Sequence, residues 1–447
     1  MTPETEAPLM VAPFRLDSLR EAVPPPAPSR PPRRERGEHS LHSHRRRRSR
    51  RGLVVLAVLV LLLVAAGAFV GVRLHAPDPA PAVTPTLART VSVAPATVPL
   101  PWPDTGQGAI AVPSIGLNLA SGVEQAAPVA SLTKLMTAYV ILRDHPLSPG
   151  QPGPSITVSQ ADVDDYNHDT VSDDSNAAVT LGEKISEAQV MSGLLVHSAD
   201  NYADLLARWD AGTLPAFVGK MNASAAALGM TQSHFADPSG VDPGSMSTAS
   251  DMLKVAGPDM ENPVFAAMVK MTSVTLPVAG TISTYTPFLG LDGVLGVKSG
   301  FTAAAGGCDV LAVIETVHGQ PTLLLAAVTG QQGVDVLAQA GLHGLALVNA
   351  VAPLIGTTTA VHEGEHVADV TEAGKTVTAA ASSSASVLTW PGVTVSRTFR
   401  PAAHLTDRAR RGAVVGTAVA TLGTQRVEVP VRVQQDVPRP TLLQRLF

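Results

Sequence analysis

Only one cysteine, Cys308, occurs in the 447 residues, so no intramolecular disulfide can form. It lies in a hydrophobic, strand-like run, and inert core packing is its expected role. No internal repeat is evident, which sets aside a solenoid. Aromatics are few, at 4% of the chain. Residues 1–52 combine that scarcity with Pro and Arg runs such as PPPAP and RPPRRERGEHSLHSHRRRR, so they cannot bury a core and are expected to be disordered. Leu53 to Val72 lacks both charge and proline over 20 residues (LVVLAVLVLLLVAAGAFVGV). Against these absences stands a 45% hydrophobic composition, enough for a sizeable core, in a chain long enough for two or three units.

The apolar run is long enough to span a bilayer. RRRRSRR (45–51) precedes it, and only Arg73 follows closely. The positive-inside rule then puts residues 1–52 in the cytoplasm and the chain after about residue 75 outside. A cleaved signal peptide normally has an apolar core of about 7–15 residues, so a retained anchor at 53–72 in the lipid bilayer is expected. The formal net charge of −5 hides an asymmetry. Residues 1–75 hold 13 Lys and Arg against 6 Asp and Glu, and the remainder is net −12. The basic excess therefore reads as a topology and anionic-lipid signal, and no nucleic-acid partner is expected.

Residues 73–104, with HAPDPAPAVTPTL, read as a Pro-rich extracytoplasmic linker. A globular domain is expected over 105–350. AIAVPS and LNLASG suggest short strands. Helices are expected from Ser131 to about Arg143, over 186–196, 202–209 and 214–228 (ended by Gly229), after a Thr248 cap, and over 333–350. VTLPV, VLGVKS, CDVLAVIET and TLLLAAVT read as strands, with HGQP (318–321) joining a hairpin. Helix clusters flanking one antiparallel sheet make an α+β domain. Residues 355–437 alternate short Val/Thr/Ala runs with Gly and Pro and read as a small β-domain. Residues 438–447 form a tail too short to span a membrane.

Within this frame, PVASLTKLMTAYV (128–140) holds Ser131 and Lys134 three residues apart at a helix start. A serine hydroxyl is a poor nucleophile unless a base lies within hydrogen-bond reach, and a lysine serves once its ammonium loses a proton. Residues three apart share a helix face, so one turn delivers both groups. Unpaired N–H groups at the helix start add a positive end beside the serine. Two later segments join them in order: HSADN (197–201) and GVKSGFTAAAGG (296–307).

The order S-x-x-K, S-x-N-like, K-[TS]-G is the signature of penicillin-recognising serine enzymes. FVGKMNASAAALGMTQSHFADPSGVD (217–242) and STASDML (247–253) extend the likeness. About residues 105–345 resemble the D-Ala-D-Ala carboxypeptidases, the low-molecular-mass penicillin-binding proteins. Residues 355–437 more faintly resemble that family's C-terminal β-domain. The resemblance implies a β-lactamase/transpeptidase-like fold and an enzyme that removes the terminal D-alanine from peptidoglycan stem peptides, limiting cross-linking. It implies Ser131 as nucleophile, Lys134 as base and Ser198 as proton relay to the leaving amine. Lys298 and Ser299 would bind the substrate's terminal carboxylate, and Gly300 would leave room for a substrate strand. The N–H groups of Ser131 and Phe301 would form the oxyanion hole. No metal or organic cofactor is implied, and β-lactams would acylate Ser131.

One position departs from the pattern. The family's asparagine aligns with Asp200, and Asn201 follows. The spacing Ser198-Ala199-Asp200 puts Asp200 in the site, and a shifted turn would put Asn201 there. Impaired catalysis, and with it a structural or wall-binding role, is the competing functional class. A β-lactamase is a further alternative, but the E-x-x-L-N context of class A is missing. HEGEH (362–366) matches a zinc-protease pattern that works only on a helix; its central glycine and flanking valines read as strand–turn–strand. ADVDDYNHDTVSDDSN (161–176) lacks the glycine and terminal glutamate of a calcium loop, so a solvated acidic loop near the pocket is expected, with a role in orienting or repelling substrate as the sharper alternative.

Overall fold

The computed structural model describes residues 47–75, 81–372, 374–403, 410–437, 441 and 443. The expected disordered tail falls outside these residues up to position 46, as does most of 438–447. A helix spans Arg47–His75. Its Gly52–His75 stretch has a mean hydropathy of 3.2 and is a candidate membrane span by length and composition.

From residue 81 the chain forms an α+β body. Its central sheet has five antiparallel strands in the order Val294–Thr302, Gly306–Val317, Gln320–Gln331, Gln107–Val112, Leu117–Ala120. Strand alternation sorts the side chains into two cores. Ala109 and Ala111 face the larger core, where the helices Thr133–Asp144, Glu187–Val196, Asp200–Ala211, Leu214–Ala227 and Ala249–Glu261 pack. Ile110 and Val112 face the other side, under the helix Val336–Val351. This is the helix-flanked antiparallel sheet expected from the sequence. Gly229 ends its helix with positive φ, and Thr248 accepts a hydrogen bond from the Asp251 N–H at 3.1 Å, as the capping signals imply.

The C-terminal segment builds a seven-stranded antiparallel sheet with its own core of Val and Ala side chains. Two strands of this sheet come from the stretch read as a linker. Ala82–Pro85 pairs with His366–Glu372, and Thr90–Ser92 pairs with Thr394–Pro401. The linker reading of 73–104 is corrected accordingly: its Val and Thr residues close both edges of a sheet whose other strands lie between His366 and Val433. Leu388 and Trp390 of the β-domain join the core beneath the central sheet, so the two parts share packing. HEGEH forms the turn between the strands Gly356–Val361 and His366–Glu372. Glu365 pairs with Arg397 there at 2.7 Å, and His366 with Asp369 at 2.8 Å.

The acidic segment is a second correction. Residues Gln160–Ser172 form a helix, not a loop. Ser159 and Asp162 make a reciprocal capping box at its start. Arg208 of the neighbouring helix pairs with Asp162 at 2.8 Å and also with Asp165, which offsets the repulsion along the acidic face.

Candidate active site

Ser131 lies in a 3-10 turn, Ala130–Leu132, that runs directly into the helix Thr133–Asp144. The turn is strained at Ala130, whose φ is +49°. Lys134 is fully buried and donates all three of its N–H groups. They reach Ser131 Oγ at 2.9 Å, Asp200 Oδ1 at 2.5 Å and the Ser239 carbonyl at 2.8 Å. The S-x-x-K spacing thus delivers the contact that helical geometry implies.

The third acceptor belongs to a loop whose role the motifs did not reveal. Asp237 Oδ2 accepts from Ser239 Oγ at 2.6 Å, the Gly240 N–H at 2.7 Å and the Val241 N–H at 3.0 Å. Thr137 Oγ1 ties the helix to the same loop, donating to the Pro238 carbonyl at 2.6 Å. A Cβ on Gly240 would come within 1.9 Å of the Ala130 carbonyl, so only glycine fits beside the strained turn. The Asp-Pro and Ser-Gly pairs in ADPSGVD carry turn chemistry and were the available signal.

Ser198 sits in the break between two helices with φ +61°, and its Oγ is buried without a hydrogen-bond partner. Asp200 opens the following helix and faces Lys134. Burial holds its carboxyl above the ordinary value, while the Lys134 charge pulls the other way. Asn201 points elsewhere. Its amide accepts from the Ala177 N–H at 3.0 Å and donates to the Ala177 carbonyl at 2.8 Å, fixing the segment after the acidic helix.

The strand Val294–Thr302 carries the third motif. Lys298 is buried and donates to the Ser299 carbonyl at 2.6 Å. Burial, then the Lys134 charge, pushes its ammonium down to about 7, against opposing pulls from Asp200 and Asp309. Ser299 Oγ donates to the Tyr285 carbonyl at 3.2 Å. Phe301 is 55% exposed at the cleft's edge. A cleft of 240 Å³ gathers Ser131, Ser198, Asp200, Ser299, Gly300 and Phe301. The structure therefore brings the predicted site residues together except Asn201, with Lys134 and Lys298 buried behind the cleft wall.

Gly300 makes the tightest approach. A Cβ there would lie 2.6 Å from the Ser131 nitrogen and 2.9 Å from the Ser131 Cβ. Gly300→Ala is expected to push the strand off the Ser131 turn and slow penicillin acylation by about 100-fold, since displacements near 1 Å cost that much. Stopped-flow labelling with a fluorescent penicillin measures it; an unchanged rate would mean the strand and turn are not held in this register.

Three carboxyls outside the Lys134 pair are pushed up to about 7: Asp169, Glu187 and Asp204, each chiefly by burial. Glu187 is wholly buried with neither carboxyl oxygen partnered. A raised carboxyl keeps its proton in the folded state after the unfolded chain has released it. Its stabilising contribution is full below about pH 4 and lost as pH rises through 7. The melting temperature is therefore expected to fall by several degrees between pH 5 and pH 7. Lys298 acts with the opposite sign, but only above about pH 7. A thermal melt series checks this, and a rising melting temperature over that window would contradict it.

Residues 119–331 match the family described as D-alanyl-D-alanine carboxypeptidase. A D-alanyl-D-alanine carboxypeptidase of Streptomyces sp. (strain K15) is 31% identical over 199 residues, covering 41% of this chain and 66% of that protein. One from Mycobacterium tuberculosis is 32% identical over 185 residues, covering 40% of this chain and 59% of that protein. The chain thus spans somewhat under two thirds of these curated relatives. Among solved structures, a D-alanyl-D-alanine carboxypeptidase of Francisella tularensis superposes with a TM-score of 0.53 at 19% identity, covering 79% of this chain and 98% of that one. Penicillin binding protein 5 of Haemophilus influenzae gives 0.53 at 19% identity, over 77% of this chain and 99% of that one. These two superpositions show the fold, a penicillin-binding, transpeptidase-like body. The matched stretch, residues 119–331, is thus similar to the D-alanyl-D-alanine carboxypeptidase family.

Proposed function

We propose that the chain is a membrane-anchored serine D-Ala-D-Ala carboxypeptidase that trims peptidoglycan stem peptides. The observation that carries this reading is the contact of 2.9 Å between Lys134 Nζ and Ser131 Oγ, with the Lys298–Gly300 strand packed against the same turn. Ser131 Oγ attacks the carbonyl between the two D-alanines, and Lys134, as the free amine, takes its proton. The N–H groups of Ser131 and Phe301 hold the oxyanion. The C–N bond breaks, an ester forms on Ser131, and Ser198 relays a proton to the departing amine. Water then hydrolyses the ester and frees the shortened peptide. Lys298 and Ser299 bind the terminal carboxylate, and an arriving carboxylate favours the charged form of Lys298. The basic flank of the apolar helix supports a cytoplasmic N-terminus and an outer catalytic domain.

A second reading has one observation behind it. The ion pair between Asp200 and Lys134 favours the ammonium form, which is no base, as in a wall-binding protein that retains the fold. D-alanine release separates the two. The full chain in detergent micelles, given a peptide ending in L-Lys-D-Ala-D-Ala, is expected to release one D-alanine per peptide, blocked by benzylpenicillin. The absence of both D-alanine release and covalent penicillin labelling would favour the second reading.

A further inference from the structure

Beside the cleft lies a larger cavity of 680 Å³, and the two share Asp174, Asp200 and Val241 in their walls. Its wall is acidic, with His168 the only basic side chain along it. Three of its aspartates are accounted for. Asp200 pairs with Lys134, Asp237 holds the loop N–H groups, and Asp242 accepts from the Gly244 N–H at 2.7 Å. Asp169, Asp174 and Asp204 remain, and none has a side-chain hydrogen bond or ion pair among the described residues. Asp169 is only 9% exposed, and its Oδ2 is buried with no partner. The nearby cation, Arg208, is committed to Asp162 and Asp165.

Such an arrangement costs stability. Buried like charges repel, and Asp169 and Asp204 feel both burial and neighbouring carboxylates. Polar groups left unmet in a cavity mark a place where a ligand supplies the missing partner. Among the described residues no set of three or more metal-ligating side chains converges, and the volume far exceeds that of one ion. An organic cation suits the space better.

The substrate named above offers one. A stem peptide that can be cross-linked must carry an amine, because the cross-link forms by attack of an amine on the D-alanine carbonyl. We propose that this cavity receives the side-chain ammonium group of the residue that precedes D-Ala-D-Ala, held by Asp169, Asp174 and Asp204. The proposal rests on the carboxypeptidase reading. Asp200 borders both spaces, so a peptide with its scissile carbonyl at Ser131 lies next to the larger cavity. An ammonium on a flexible stem then enters the larger cavity, where its donors meet the unpartnered carboxylates.

Two peptides test it: Nα-acetyl-L-Lys-D-Ala-D-Ala, with a free side-chain amine, and its Nε-acetylated form. D-alanine release by the full chain is expected to favour the free amine by about tenfold or more in kcat/KM, carried mainly by KM. The preference should shrink as salt rises from 0.05 to 0.5 M. Asp204→Asn is expected to bring the free-amine peptide down to the level of the acetylated one, and to melt no lower than the parent, since it removes an unpartnered carboxyl whose ionisation burial disfavours. Asp174→Asn serves as a second variant with the same expected loss of preference. Equal rates for the two peptides with the unaltered chain would overturn the proposal and leave the carboxypeptidase reading standing. So would a preference that survives both substitutions. No release from either peptide would overturn both readings.

Discussion

Ser131→Ala is expected to lose at least about a thousandfold in kcat/KM on D-Ala-D-Ala peptides, and all covalent labelling by β-lactams. The ester intermediate needs an oxygen that alanine does not have. What survives is the contribution of the oxyanion hole and of substrate positioning, which in serine hydrolases leaves only a small residue of the original rate. The fold should persist. Lys134 keeps two of its three acceptors, Asp200 and the Ser239 carbonyl, so the buried ammonium is not stranded. Intact-mass spectrometry after penicillin treatment should show one added drug mass on the parent chain and none on the variant. An adduct that persists in Ser131→Ala would place the nucleophile elsewhere.

Asp200→Asn is expected to change the rate in the other direction. A carboxylate 2.5 Å from Lys134 Nζ stabilises the ammonium form, in which lysine cannot accept the serine proton. At an effective dielectric of about 20, unit charges roughly 4 Å apart interact by about 4 kcal/mol before screening. Asparagine keeps an acceptor for the lysine and removes the charge. Acylation at neutral pH should therefore rise, by about tenfold. Asn201→Ala should act differently. It strips the Ala177 N–H and carbonyl of their buried partners, a loss of about 1–3 kcal/mol in stability, without touching Lys134. Pre-steady-state acylation of both variants across pH 5–9, with melts alongside, distinguishes them. An unaltered acylation rate in Asp200→Asn would remove the carboxylate from the proton transfer.

Much of the site was legible because its parts are local. A serine and a lysine three residues apart meet whenever their segment is helical, and the apolar pattern of 128–140 is helical. The strand around Lys298 was legible for the same reason, being a short run between turn signals. The candidate membrane span needed only composition. The acidic segment misled because loop-like composition was weighed without its partners. Asp162 as a capping residue and Arg208 from another helix turn a self-repelling stretch into a stable helix.

The chain itself, then, determined the Ser131–Lys134 contact, the order of motifs, the α+β class and the apolar helix, since each follows from periodicity or spacing within one segment. Tertiary structure alone set Asp200, and not Asn201, against Lys134. The positive φ of Ser198 and the pull of the Ala177 backbone turn one side chain toward Lys134 and the other away. It also supplied the Ser239 carbonyl, a backbone acceptor that no residue type announces, and drew residues 82–85 and 90–92 into a sheet formed from the far end of the chain. The acidic cavity arises in the same way, from aspartates on two helices and on the loops at 174 and 237–242 that only packing brings together. Backbone partners and distant pairings depend on which surfaces meet, and no local pattern encodes that.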